Sequence, residues 1–322
     1  MRTATTNRAI SPGDQLDHYR IESVIAEGRG ATIFRATDLD TNRQVAVEVP
    51  DAELEADPVL SERIKSEDEL GKTLEHPGLI KVIEETGHSR PYRVTEWFDG
   101  STLRQILAKG KLAPERAALI AAAICGPVDY LHQHGIIHGD LEPEYVLVGP
   151  KDEVKLIHFG VALKAGARRL TFAKLSQVLG TSQYISPEEL RGQRADARSD
   201  VYSIGAILYE MLTAKLPFPG EEIAERLTSY PVPPREIETA ISPQLQEVVY
   251  RALEREPRNR YANAHEFQHD LEHLSEIGVA DRPEIAEWKK RRQAQWVKVA
   301  TYAVLALIPI IVLGLLLYFA RP

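Results

Sequence analysis

The chain has 322 residues, 43% of them hydrophobic and 27% charged, a balance that excludes a disordered or fibrous protein. Its 20 glycines and 20 prolines follow no period, which excludes a solenoid or propeller, and its single cysteine, Cys125, excludes both an internal disulfide and a cysteine zinc site. The net charge of −8 is unevenly spread: six of the 39 Lys and Arg follow Trp288 and no Asp or Glu does, which leaves 33 bases against 47 acids, a net −14, in the first 288 residues. An acidic body of this kind argues against nucleic acid as a partner.

Residues 1–18 are polar and Thr-rich and read as a flexible tail. From Tyr19 the pattern changes to short runs rich in Val, Ile, Thr and Phe. Tyr19–Ile25, Ala31–Leu39 and Gln44–Val49 are read as three antiparallel strands, parted by Gly28-Arg29-Gly30 and Asp40-Thr41-Asn42. A helix is expected over Pro58–Leu74, where Leu60, Ile64, Leu70 and Leu74 mark one face and Glu67 falls on it. Leu79–Glu84 and Arg90–Trp97 supply two more strands. After Asp99-Gly100 the chain turns mainly helical, with a long buried helix over Pro114–His134. Cys125 lies inside it with no activating charge beside it and reads as buried filler. Short strands at Tyr145–Val148 and Val154–Ile157 precede helices around Asp200–Leu212 and Leu245–Leu253. Five strands with one helix, followed by a helical lobe, make an α+β two-lobed plan.

Val299–Ala320 holds 22 residues without a charge. At 1.5 Å per helical residue it reaches about 33 Å, enough for a hydrocarbon core of about 30 Å, and it is read as a transmembrane helix. Lys289, Lys290, Arg291 and Arg292 on its N-terminal side form a basic juxtamembrane linker with the rest of 275–298 and place that side in the cytoplasm. No apolar stretch opens the chain, so a single-pass protein anchored by its tail is expected, with its folded domain cytoplasmic and its C-terminus outside.

Gly180-Thr-Ser-Gln-Tyr-Ile-Ser-Pro-Glu188, followed by Asp196-Ala-Arg-Ser-Asp-Val-Tyr-Ser-Ile-Gly205, carries the strongest resemblance in the chain. His138-Gly-Asp140, His158-Phe-Gly160 and Val45-Ala-Val-Glu-Val49 add to it in the right order and spacing. Together they resemble the eukaryotic-type Ser/Thr protein kinase family, in particular its bacterial membrane-anchored members. The resemblance covers 256 residues, Tyr19–Leu274, with an N-lobe over about 19–98 and a C-lobe over about 99–274.

Members of that family work by positioning a phosphoryl group and neutralising its charge. The resemblance implies a Lys where this chain has Glu48, paired with a helix carboxylate at Glu67, so two acids would face each other unless one took a proton or found an Arg. It implies a magnesium-binding Asp at His158, an Asn at Tyr145, a phosphoryl-contacting Lys at Glu142 and an Arg at Gly139. Relative to the family pattern these exchanges move the cleft charge by −3, with His neutral. Asp140 retains the position of the base and is expected to serve the loop's structure. The glycine loop Ala26-Glu-Gly-Arg-Gly-Ala31 keeps Gly28 but has Ala26 and Ala31 at the outer positions, and a plain hairpin is as good a reading of it as a phosphate cradle. Ala46, Thr95, Glu96 and Trp97 would line the nucleotide cleft and hinge. Glu188 and Arg260 resemble the family's buried ion pair, and Asp200 the acid that holds the catalytic-loop backbone. Thr171 and Thr181 are candidate phosphorylation sites, and no metal site is assigned.

These readings make the chain a membrane-anchored pseudokinase that holds a protein partner, such as an active kinase or its substrate. No cofactor is expected, and ATP with magnesium should bind weakly or not at all. One alternative is an unconventional ATP-dependent Ser/Thr kinase that recruits Arg29 or Arg35 in place of the missing Lys. Another is a sensor that takes a nucleotide without metal.

Overall fold

The computed structural model of the chain describes residues 10–28, 30–51, 70–83, 88–158, 163–164, 183–219 and 223–282, with isolated positions at 285, 288, 290, 293, 306 and 307. Alternation of apolar and polar residues builds the N-terminal sheet. Its strands β1 (Gln15–Leu16), β2 (Tyr19–Gly28), β3 (Ala31–Asp38), β4 (Gln44–Pro50) and β5 (Arg93–Glu96) pair antiparallel in that order. Val45, Val47 and Val49 of β4 pack on Tyr19, Ile21, Phe34, Ala36, Tyr92 and Val94. The residues between them, Ala46 and Glu48, take the opposite face, where register sets Arg35 and Thr95 beside Ala46, and Ile33 and Arg93 beside Glu48.

The sheet has the expected five strands, but not the expected five. Chain order from Ile10 onward extends into what reads as tail: Leu16 is buried, β1 pairs with β2, and the Asp17 carboxylate accepts from Tyr92 Oη at 2.7 Å and from the Ser89 N–H at 3.1 Å. The strand expected over 79–84 is reduced to two single bridges, Leu79 to Leu156 and Val82 to Thr95. Ile80 N–H donates to Leu156 O and Leu156 N–H to Gly78 O, while Ile83 N–H donates to Val94 O and Glu96 N–H to Lys81 O, so this stretch divides its backbone bonds between the second lobe and β5. Of the helix expected over 58–74, residues 70–73 are helical, Leu74 follows them as a buried non-helical residue, and 58–69, with Glu67, lies outside the described residues.

The second lobe begins at β6 (Ser101–Thr102) and α1 (Leu103–Leu107), capped by the Thr102 hydroxyl. Helix α2 (Pro114–Gln133) follows, with Pro at its first position as the sequence implies. Next come β7 (Ile136–Ile137), a 3-10 turn at Pro143–Tyr145, β8 (Val146–Val148), β9 (Val154–Leu156) and β10 (Leu163–Lys164). Strands β6, β8 and β9 form one small sheet and β7 and β10 another. Helices α3 (Pro187–Leu190), α4 (Ala197–Thr213), α5 (Ile223–Thr228), α6 (Pro234–Ile237), α7 (Pro243–Ala252) and α8 (Ala264–Glu272) complete the lobe.

Helix α4 is the centre of this lobe, since every residue from Ser199 to Thr213 is buried, a pattern that only a helix surrounded on all sides can carry. Asp196 caps it by accepting from Arg198 N–H, with Ser199 returning the bond in a capping box. A Cβ at Gly205 would stand 2.7 Å from Ala252 Cβ, so the glycine sets how closely α4 and α7 cross. Cys125 is fully buried in α2, and burial pushes its thiol well above the usual value, as suits inert filler.

The lobe continues past the expected boundary at 274. Ile277 packs on the core, and Arg282 donates to both oxygens of Glu247 at 2.7–3.0 Å and to Glu254 at 2.8 Å, with its guanidinium over the Tyr250 ring. Among the described residues no helix is long and apolar enough to cross a membrane; the expected span over 299–320 lies outside them except for Ala306 and Leu307.

A buried ion pair closes the fold near the start of α4. Arg260 donates to both oxygens of Glu188 at 2.7 Å, and its remaining N–H groups reach the carbonyls of Arg198, Glu254 and Arg255. The side chains are 0% and 5% exposed. Removing one partner would strand the other charge in the interior, so Arg260→Ala is expected to cost about 3–5 kcal/mol in chemical denaturation. Burial by itself raises the Glu188 carboxyl, but the hydrogen bond and charge of Arg260, helped by Ser199, hold it below its ordinary 4.5. The unfolded chain is then the weaker acid and binds the proton first. The pair's contribution is complete above about pH 4.5 and is lost as pH falls through the lower folded value. Thermal melts from pH 6 to pH 3 should show this loss in the parent, while Glu188→Gln should start lower and fall less steeply.

Candidate functional site: the interlobe cleft and catalytic-type loop

The loop at 138–145 is held from behind. The Asp200 carboxylate accepts the backbone N–H of His138 at 2.9 Å, that of Gly139 at 2.8 Å and His132 Nε2 at 2.8 Å. Burial alone would raise this carboxyl; the His132 hydrogen bond, the charges of His132 and His138 and the Gly139 N–H together hold it below its ordinary 3.8. Because a carboxylate only accepts, His132 donates through Nε2, which gives this residue a structural place and separates it from His134, whose Nδ1 bonds Tyr130 O. Gly139 has φ of +70°, a left-handed backbone that a side chain would strain. Asp140 follows it, partly buried, with its N–H at 3.4 Å from His138 Nδ1. Glu142 is buried at 6% exposure, and its carbonyl accepts the Tyr145 N–H as the chain turns into β8.

The Tyr145 and His158 rings lie against each other, centroids 4.5 Å apart and tilted by 31°. Ile157 N–H donates to Tyr145 O, which fixes the two segments side by side. Phe159 and Gly160 lie outside the described residues, as do Thr171 and Thr181.

Above the loop, the cleft face of the sheet presents Glu48. The guanidinium of Arg93, on the neighbouring strand β5, donates to Glu48 Oε2 through both Nε and Nη2, with Arg93 only 8% exposed. This is the arginine that two facing acids would call for; Glu67, the other acid, lies outside the described residues. Sequence reading missed Arg93, although the alternation of Tyr92 and Val94 with Arg93 and Thr95 already set it on the face of Glu48.

Ala26 and Gly28 end β2 and Ala31 begins β3, with Gly28 paired to Ala31 across Arg29-Gly30. Gly30 takes φ of +86°, so the segment is a tight hairpin. Ala46 stands opposite Thr95, and Glu96 binds Lys155 Nζ from β9 and the Lys81 N–H, which ties the hinge to the second lobe. Arg35 lies over the Trp97 ring at 4.9 Å and donates to Gln44 Oε1 at 2.7 Å. Arg29, the other arginine considered for the phosphates, lies outside the described residues.

One cluster beside the loop has no counterpart in the sequence reading. Arg104 of α1 donates to Glu144 at 2.9 Å and to Glu210 of α4 at 2.6 Å, and also bonds the Tyr184 hydroxyl, which itself donates to Glu210. It joins α1, the loop, the segment before α3 and α4 in one network, and Glu210 raises the Tyr184 phenol further after burial has done so.

Comparison with known proteins accords with this geometry. The protein kinase domain family model matches residues 19–271. The chain is 36% identical to the serine/threonine-protein kinase PknB of Mycolicibacterium smegmatis over 85% of its own length and 46% of that protein's. It is 36% identical to PknB of Mycobacterium tuberculosis, over 81% of the chain and 43% of the relative, and 36% identical to a probable serine/threonine-protein kinase, SCO3848, of Streptomyces coelicolor, over 79% and 39%. The chain thus spans less than half the length of these curated relatives. Among solved structures, the PknI kinase domain of Mycobacterium tuberculosis superposes with a TM-score of 0.64 at 20% identity, over 83% of this chain and all of that one, which establishes the fold. With its two lobes, its loop anchored by Asp200 and its Glu188–Arg260 pair, the chain belongs to the protein kinase domain family.

Proposed function

We propose that the chain is a pseudokinase: a kinase-shaped module that binds a protein partner and does not transfer phosphate. The observation that carries this reading is the ion pair of Glu48 with Arg93. In the family a strand lysine, itself paired with a helix carboxylate, holds the nucleotide's phosphates. Here the matching position is an acid, and the cation drawn to it from β5 is turned onto that acid.

The metal positions support the same reading. Magnesium takes hard oxygen donors in near-octahedral geometry, and an imidazole lying tilted against a phenol does not offer that donor set. The donor set does not suit the ion, so no step is assigned to it. Glu142 adds negative charge where the family places a lysine, and Gly139 removes the arginine that would read phosphorylation of Thr171 or Thr181. Asp140 then serves the loop, not proton transfer. Arg35, engaged with Trp97 and Gln44, argues against an active form rebuilt on that arginine.

Residues 299–320 anchor the module in a membrane with Lys289, Lys290, Arg291 and Arg292 on the cytoplasmic side, and an active kinase or its substrate is the partner class. Acidic character over the first 288 residues speaks against nucleic acid.

Thermal unfolding of the full chain in detergent, with ATP, ADP or adenosine and with or without magnesium or manganese, tests the proposal. A ligand at 100 times its Kd adds about 2.7 kcal/mol. No shift with magnesium and ATP is expected. Stabilisation by ATP that requires metal would refute the pseudokinase reading, and stabilisation without metal would favour a nucleotide sensor. A second measurement addresses the pair itself: a double-mutant cycle with Glu48→Gln and Arg93→Met should give a coupling of about 0.5–3 kcal/mol, and a coupling of zero would remove the central support.

A further inference from the structure

The exposed side of α8 holds chemistry that the cleft does not use. His265, His269 and His273 recur every fourth residue, which at 3.6 residues per turn keeps them on one stripe of the helix. The opposite side, with Ala264, Phe267 and Leu271, is buried. The rings of His269 and His273 stack with centroids 4.3 Å apart and 20° between planes.

We propose that His269 and His273 form a binding site for a borderline transition-metal dication such as zinc, nickel or copper. His273 Nδ1 lies 2.8 Å from the carbonyl oxygen of His269. A carbonyl can only accept, so Nδ1 carries the proton and the lone pair of the neutral ring sits on Nε2. Backbone-bonded Nδ1–H with a free Nε2 is the arrangement that orients metal-binding histidines. His269 Nδ1 lies 3.6 Å from Asp270 Oδ1, beyond hydrogen-bond length but close enough for the carboxylate to favour the same tautomer.

Both rings belong to exposed residues and are free to turn out of the stack, and at about 2.0–2.1 Å per metal–nitrogen bond a shared ion requires the two Nε2 atoms to converge to about 4 Å or less. Water completes the shell. The local field favours a cation: His269 lies in the last turn of α8 and His273 caps it, where the helix dipole is negative, and the exposed Glu272 and Glu276 lie within the same stretch, while Asp270 is shared with Arg251 at 3.2 Å. Imidazole donors select zinc, nickel or copper over magnesium or calcium. Another histidine-bearing cluster among the described residues, His18 with Asp38 and Asp40, is less suited, because both Asp38 oxygens already accept from the Asp40 N–H and from Thr41.

Calorimetric titration of the full chain with zinc, nickel and copper(II) ions tests this, with copper(II) electron paramagnetic resonance to count bound nitrogens. One ion per chain with two imidazole nitrogens is expected. His269→Ala or His273→Ala should each weaken binding about tenfold or more, whereas His134→Ala, which alters another backbone-bonded histidine on α2, should leave it unchanged. Both surface substitutions lie on the solvent side of α8, and circular dichroism of each variant reports whether the fold is kept. Absence of binding, one ion per two chains, or equal affinity in all three variants would overturn the proposal.

Discussion

The Asp200 carboxylate gathers three donors from two separate parts of the chain, and the geometry of the cleft follows from it. His132 comes from α2, and the N–H groups of His138 and Gly139 come from the loop, all meeting an acid fully buried at the start of α4. A buried carboxylate without these donors would be costly, and the loop without the carboxylate would leave two backbone N–H groups unsatisfied. Each side therefore requires the other. Asp140, Glu142 and Tyr145 take their positions from that anchor, as does the network in which Arg104 links Glu144 to Glu210 and Tyr184. The scaffold of a kinase can thus persist independently of what its cleft does.

Within the cleft, electrostatic self-sufficiency is the common theme. Glu48 is matched by Arg93, Glu96 by Lys155, and Arg35 by the face of Trp97. These cations engage groups of the chain itself, so charge in the described part of the cleft is balanced internally. The same holds at the lobe's far end, where Arg282 is enclosed by Glu247, Glu254 and Tyr250.

How much of this was legible in the sequence depended on the range of the signal. Glu188 and Asp200 could be assigned because each sits in a motif of fixed spacing, and Arg260 as the partner that the resemblance implies for Glu188. Strands β2 to β4 followed from alternation and turn residues, while β1 did not, since two residues with one apolar side chain carry no period. The strand at 79–84 was read from its β-branched residues, yet its backbone bonds are divided between β5 and Leu156, a tertiary choice that local propensity does not encode. Arg93 was hidden in a strand read for its apolar residues. The Arg104 network joins residues 40 and 106 positions apart, and no local pattern announces it. Arg282 was hidden in the same way, in a stretch whose composition reads as linker.

The pairing of Glu48 with Arg93 also constrains how this chain can change over generations. Exchange of Glu48 alone to a lysine would set two cations side by side on adjacent strands, and exchange of Arg93 alone would leave a carboxylate in a partly buried cleft without its strand partner. Either single step passes through a less stable protein, and marginal stability makes such intermediates subject to removal. The two positions are coupled, so the charge state of this cleft is inherited as a unit, and a change to lysine at position 48 requires coordinated substitutions on two strands instead of one.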